Sequence, residues 1–320
     1  MEHRTQLGRS ELHVPRLGVG AMTWGDPQGL ARLHPAKTAY GSAHGREEEQ
    51  RALDLSLQAG VNLFDTAAQY SLGAAERRLG ELARGRDVLI ATKYPAGFRF
   101  RVEDFTKELE ATLLRLGRER VDLYQHHYPN PRISIPQLMD RVADAVEVGK
   151  VRAVGVSNYS AEQMRLAHAA LARRGIPLAS NQVQYSLVHR KPEVDGTLDA
   201  CRELGVTLMA YSPLGMGALT GKYSAQHRAG GFFRRILPGF SRKAMQTLQP
   251  ALQLLREIGE RHSRTPSQVA IRWLLENPIV LPIPGAKNGA QAAENAGALS
   301  FSLTSDEVES LSRATLAWRK

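Results

Sequence analysis

VNLFDTAAQYSLGAAERRLGELARGRDVLIATKY, residues 61–94, carries two short apolar, β-rich runs, VNLFDTA from Val61 and VLIATKY from Val88, with a helical stretch between them. The alternation recurs along the chain: LGVGAMTW from Leu17, VDLYQHH from Val121, AVGVSN from Ala153, SNQVQYS from Ser180, VTLMAYSPL from Val206 and IVLPIPG from Ile279. Amphipathic segments separate these runs. Phe105, Leu109, Leu113 and Leu116, spaced by three and four, put one apolar stripe on a helix. Ser160 with Gln163, Thr265 with Gln268, and Thr304 with Glu307 have capping-box spacing, and Pro266 occupies a favoured first helical position. Gly60, Gly149 and Gly175 stand where left-handed helix terminators are expected.

Eight strand–helix units predict an α/β fold closed as a (β/α)8 TIM barrel, which needs about 250 residues and leaves roughly 70 for additions. Residues 1–320 are read as one domain, since no Pro/Gly/Ser-rich linker, low-complexity tract or mid-chain composition shift divides them. Gln6 to Val14, with turn-like Gly8 to Ser10, predicts an N-terminal hairpin closing the barrel floor. A long loop after strand 7, from Leu214 to about Ser241, falls on the face where barrels build active sites. A doubly wound dinucleotide fold is rejected: LGVGAMTWG lacks the third glycine of G-x-G-x-x-G, and no clear helix opens there.

Composition narrows the function less than the motifs do. The 42 Lys and Arg against 32 Asp and Glu give a net charge of +10. The basic residues are spread out and often adjoin acids, as in REEEQR from Arg46 and GRERVD from Gly117, runs expected to mark solvated helix faces. Arg173–Arg174 and Arg234–Arg235 are too short for a nucleic-acid arm, so neither a nucleic-acid nor a membrane partner is expected. The single cysteine, Cys201, argues against a disulfide scaffold or a cysteine-built metal site. With no apolar run at the start and none approaching the roughly 18 residues that span a bilayer, a cytoplasmic protein is expected.

Four ionisable residues fall at or near strand ends: Asp65 in FDTAAQY, Tyr70 beyond it, Lys93 in ATKY and a histidine in YQHHY. In a parallel barrel such ends converge on one rim. A phenol with pKa near 10 is a poor acid at neutral pH, but a neighbouring ammonium favours the phenolate, and a carboxylate would pair that ammonium. Each residue alone reads better as a structural group: an Asp capping a helix, an exposed Lys, a packed Tyr and a satisfied His.

In combination the strings are far more specific. FDTA followed by Tyr70, then TKY, DLYQHH, GVSN, NQVQYS, YSPLGMGALTGKY and IPGAKNGAQAAENAGAL occur in this order across nearly the whole chain. They strongly resemble the aldo-keto reductase superfamily of NADPH-dependent (β/α)8 oxidoreductases. LGVGAMTWGD and the GKY to LPGF insertion look most like its bacterial and plant-plastid branch. The resemblance implies a catalytic tetrad of Asp65, Tyr70, Lys93 and His127, with Tyr70 as general acid, and no metal. Strand alternation puts Val121, Leu123, Gln125 and His127 on one face and His126 on the other; a register one residue away would exchange the two histidines.

The cofactor positions carry over in the same way. Ser157, Asn158 and Gln182 would hold the nicotinamide carboxamide, and Tyr211 would stack on the ring. Ser212, Leu214, Gly215, Gly217 and Leu219 would line the pyrophosphate, with Lys222 near it. Lys287 and Asn288 suit the 2′-phosphate of NADPH, while Gln291, Glu294 and Asn295 match positions around adenosine; Gly285 and Trp24 complete the set. Lys287 stands where many relatives place Arg, so the charge is kept without a guanidinium fork. Gly289 and Ala290 promise a weak start to the helix that follows. The implied reaction reduces a small-molecule aldehyde or ketone to an alcohol. The alternatives are an NADPH-binding redox-sensing or regulatory subunit with slow turnover, as in channel β-subunits similar to this superfamily, and a basic nucleic-acid-binding barrel. Trp24, Tyr94, Tyr128, Phe232 and Phe233 are candidate walls of an aromatic pocket.

Overall fold

The computed structural model describes residues 4–26, 45–95, 97, 100–223 and 240–320. Among these, β1 (Arg4–Gln6) and β2 (His13–Pro15) pair antiparallel ahead of β3 (Val19–Gly20), α1 (Arg46–Gln58), β4 (Leu63–Asp65) and α2 (Ala74–Leu82). Next come β5 (Leu89–Tyr94), α3 (Phe105–Leu116), β6 (Val121–His126), α4 (Ile135–Glu147), β7 (Val151–Ser157) and α5 (Ala161–Ala172). The chain continues through β8 (Leu178–Gln184), α6 (Thr197–Leu204), β9 (Thr207–Tyr211), α7 (Arg242–His262), α8 (Pro266–Leu275), β10 (Val280–Ile283), α9 (Gly289–Ala296) and α10 (Ser305–Ala314).

Strands β3 to β10 form one parallel sheet in sequence order, each pairing with the next. Its edges meet: Gly18 and Gly20 donate their amides to Pro282 O and Pro284 O at 3.0 and 2.9 Å, and Gly20 bridges Gly285 in parallel. This is the (β/α)8 barrel expected from the alternation. All four stripe residues of α3 are buried, and each such burial contributes about 1.5–3 kcal/mol. The three capping boxes close at Ser160, Thr265 and Thr304. No helix among the described residues is long and apolar enough to cross a membrane.

The hairpin seals one end of the barrel. Leu7, Leu12 and Val14 pack with Leu63, Leu89, Leu123, Ala179, Met209 and Leu281 from the barrel interior. Gly8, at φ +57°, donates its amide to Thr207 Oγ1 at 2.8 Å, and a Cβ there would stand 2.4 Å from Ala179 O. Both the left-handed backbone and the close approach call for glycine at this turn.

Most charged residues of REEEQR and GRERVD lie at or near the surface, but two acids depart from the solvated reading. Glu49 of REEEQR is fully buried, pairing with Arg78 and accepting the Gly25 amide at 3.0 Å. Burial pushes its carboxyl up, and the Arg78 charge opposes that. Asp122 of GRERVD is buried too, accepting from the Ile90 amide at 2.8 Å and pairing with Arg152 at 2.6 Å. Sequence runs cannot show this, because each partner arrives from another element. Arg173 and Arg174 do lie at the surface, opposite Asp140, Asp144 and Glu147. Of the loop after the seventh barrel strand, Leu214–Tyr223 is described; Phe232, Phe233, Arg234 and Arg235 lie outside the described residues.

Candidate active site

Asp65 ends β4 and Lys93 lies near the end of β5, so both side chains enter the barrel from adjacent strands. Lys93 is fully buried. Its Nζ donates to Asp65 Oδ1 at 2.6 Å and to Thr66 O at 2.8 Å, and reaches Tyr70 OH at 3.5 Å. The three donors of an ammonium thus have three oxygens around them. Burial lowers the Lys93 pKa, and the Asp65 carboxylate acts against that shift.

Tyr70 begins a short 3-10 turn, Tyr70–Gly73, in which Ser71 and Leu72 both adopt left-handed φ, 49° and 52°. Two consecutive non-glycine residues in that region store about 1–2 kcal/mol each, and they fix the direction from which Tyr70 approaches Lys93. Across from Tyr70 stands His127, its ring edge-on at 5.7 Å between centroids. The second face of His127 stacks on Tyr128 at 5.1 Å.

The two adjacent histidines separate as alternation requires. His127 shares the inner side with Gln125, whereas His126 turns outward, its Nδ1 2.6 Å from Tyr159 OH. Burial, reinforced by Lys93 and His126, pushes the His127 pKa down to about 2; burial alone takes His126 down to about 4. His127 is therefore a neutral imidazole at physiological pH, with Nδ1 buried and unpartnered.

A second group adjoins the first. Ser157 Oγ donates to Gln182 O at 2.9 Å, and Asn158, at φ +59°, donates from Nδ2 to His127 O at 3.1 Å and to Ser157 Oγ at 3.0 Å. Tyr211 OH donates to Asn158 Oδ1 at 3.1 Å. Gln182 turns its amide nitrogen inward to Asp65 Oδ2 at 2.8 Å, linking this group to the Lys93–Asp65 pair.

Further along, Ser212, Gly215, Met216 and Gly217 all have positive φ, which winds the loop into tight turns. The amides of Gly215, Gly217 and Leu219 are engaged within the loop, by Ser212 O and Leu214 O, and Lys222 is exposed beside it. At the eighth barrel strand, Asn288 caps α9 by accepting from the Gln291 amide at 2.9 Å, and the Lys287 amide donates to Gln291 Oε1 at 2.9 Å. This cap supplies the firm helix start that Gly289 and Ala290 alone would not. Thr265 Oγ1 donates to Glu294 Oε1, and Asn295 Nδ2 to Gly285 O at 3.2 Å. Trp24 is fully buried and donates its indole N–H to Ala286 O at 2.7 Å, bracing the same loop. Tyr94 is equally buried, outside the barrel wall against Phe105 and His126, while Tyr128 is 45% exposed.

Gln125 and Glu76 joined this site without a role assigned from sequence. Gln125 reaches Asp65 Oδ2 at 3.3 Å, and its place on the inner face of β6 was the available signal. Glu76, fully buried, accepts from Thr92 Oγ1 at 2.6 Å and Arg115 Nε at 2.5 Å just behind Lys93.

Comparison with known proteins agrees with this architecture. The sequence profile of the Aldo/keto reductase family matches residues 16–315. A chloroplastic pyridoxal reductase of Arabidopsis thaliana is 36% identical over 317 residues, covering 92% of this chain and 82% of the relative. An aldo-keto reductase of Schizosaccharomyces pombe, whose name specifies NADP(+), is 31% identical over 321 residues, with 94% of this chain and 88% of the relative covered. The solved structure of a glycerol dehydrogenase from Gluconobacter oxydans superposes with a TM-score of 0.82 at 25% identity, over 99% of this chain and 96% of that one. With the barrel, the motif order and the family profile in agreement over nearly its whole length, the chain belongs to the aldo/keto reductase family of oxidoreductases.

Proposed function

We propose that this chain is an NADPH-dependent reductase that converts an aldehyde or ketone to an alcohol, with Tyr70 as the general acid. The observation that carries the reading is the buried Lys93, paired with Asp65 at 2.6 Å and directed at the Tyr70 phenol oxygen at 3.5 Å. When bound, a reduced nicotinamide would supply the hydride for the carbonyl carbon. Tyr70 gives its phenol proton to the carbonyl oxygen, and Lys93 stabilises the phenolate left behind. Asp65 balances the lysine, so the pair stays buried without an unmatched charge. Neutral His127 offers an uncharged imidazole to orient the carbonyl oxygen, and Tyr128 stacked on it restricts the ring.

The residues fit such a cofactor. At the reacting end, the Tyr70 hydroxyl beside Lys93 Nζ and the neutral His127 ring edge-on to Tyr70 are groups suited to a carbonyl oxygen. The Ser157–Asn158–Tyr211 group would hold the carboxamide and ring, the glycine-bearing loop from Ser212 to Gly217 the pyrophosphate, and Lys287 with the Asn288-capped helix the 2′-phosphate. The test is oxidation of NADPH, and separately of NADH, with aldehydes, ketones and sugars. Pyridoxal belongs among the first aldehydes, because the Arabidopsis relative is named for it. Rapid, NADPH-preferring turnover supports the reading. Turnover near one per minute or slower on every carbonyl would favour a redox-sensing subunit instead.

A further inference from the structure

Lys93, Gln125 and Gly155 lie at matching register positions on β5, β6 and β7. Gln125 is fully buried in the barrel interior, where an amide side chain needs partners for both its ends. Its Nε2 donates to Asp65 Oδ2 at 3.3 Å, and its Oε1 accepts from Gln182 Nε2 at 3.4 Å. Gln182 Nε2 also donates to Asp65 Oδ2, at 2.8 Å. The Asp65 carboxylate is thus divided: Oδ1 faces the ammonium of Lys93, and Oδ2 faces two neutral amides.

Gly155 makes this possible. A Cβ on it would stand 2.9 Å from Gln125 Cγ and 2.4 Å from Ser180 Oγ, so any larger residue drives Gln125 out of its path across the barrel. Fully buried polar side chains are costly unless they are bonded, and this one sits where a leucine would otherwise fill the layer.

We propose that Gln125 is a positioning residue for the acid–base group: with Gln182 it absorbs charge on Asp65 Oδ2, and so limits how strongly Asp65 draws on Lys93. The consequence for Tyr70 is direct. An ammonium less neutralised by its carboxylate favours the phenolate more, which makes the phenol a better acid. Among the described residues, the charged and titratable groups near Tyr70 include Lys93 from β5, Asp65 from β4 and His127 beyond β6, with Tyr128 stacked on the histidine and Glu76 of α2 acting on Lys93. Changing Gln125 replaces none of these groups and acts on Tyr70 only through Asp65 and Lys93. The proposal rests on Tyr70 being the acid of a carbonyl reduction.

The experiment compares wild type, Gln125→Met and Gln125→Glu. Tyr70 ionisation is read from phenolate ultraviolet absorption, each protein being referenced to its own Tyr70→Phe partner, and kcat and KM are measured against pH with NADPH. Met keeps the unbranched shape and removes both amide groups. Gln125→Met is expected to raise the pH of Tyr70 ionisation and the basic limb of kcat/KM together by about half a pH unit, with kcat at neutral pH about two- to threefold lower and the carbonyl KM little changed. Gln125→Glu, placing a second carboxyl beside Asp65, is expected to raise both further. A folded, NADPH-binding Gln125→Met protein whose Tyr70 ionisation and basic limb coincide with wild type overturns the proposal. Should Gln125→Met not fold, the same titration of Gln125→Glu decides. Should wild type reduce no carbonyl, the functional reading fails by itself, and the phenolate titration still decides whether Gln125 tunes Tyr70.

Discussion

At the floor of the barrel, Leu7, Leu12 and Val14 of the hairpin meet Leu63, Leu89, Leu123 and Leu281 in an apolar plug that carries no charge. At the rim, the same strands bury Lys93, Asp65, Gln125 and Gln182, with His127 beside them. Strand β6 shows the contrast within one element, since Leu123 joins the floor and Gln125 the rim. Apolar burial at the floor stabilises without conditions. At the rim, each charge is tolerable only while its partner is present, and the retained polarity is what chemistry can use.

The largest break in this comparison comes from Lys93→Met. It leaves Asp65 buried and unpaired, and a loss of about 3–5 kcal/mol in chemical unfolding is expected. Adding Asp65→Asn should restore most of that stability and none of the carbonyl reduction, separating the rim's chemistry from the fold. Leu7→Ala tests the floor. It is expected to cost about 2–4 kcal/mol and leave kcat within about twofold, because the hairpin touches none of the acid–base groups.

A pH dependence follows from the outer wall of the rim. Burial lowers His126 to about 4 from an ordinary 6.5, so the unfolded chain takes up this proton first as pH falls. Its contribution is complete above about pH 6.5 and is lost towards about pH 4, a fall of order 3 kcal/mol measurable by thermal or urea unfolding. His126→Gln is expected to make that limb shallower, leaving the share that His127, lowered further by burial, contributes over the same range. The smallest effect belongs to the far end of the proposed cofactor cleft: Lys287→Met should weaken NADPH binding about tenfold and leave NADH binding unchanged, as read by fluorescence titration.

The barrel was legible because buried parallel strands are short apolar runs with clear helical intervals, and VDLYQHH and VTLMAYSPL announce themselves without knowledge of their neighbours. Alternation along VDLYQHH also separated His127 from His126. What could not be read are contacts made across the barrel. Gln125 bonds Asp65 only because Gly155, thirty residues later, leaves the space. Glu49 looked like one more surface acid until α2 brought Arg78 to it. The inward turn of Gln182 towards Asp65 depends on β8 and β4 facing one another across the interior, which no local pattern records.

The role of Tyr70 is tested most directly by replacing it with phenylalanine, which removes one oxygen and keeps the ring beside His127. Carbonyl reduction by Tyr70→Phe, measured at saturating NADPH with cofactor affinity determined in parallel, is expected to fall by about 10²–10⁴ in kcat while NADPH binds as in wild type. Full carbonyl reduction by a Tyr70→Phe protein that still binds NADPH would contradict it.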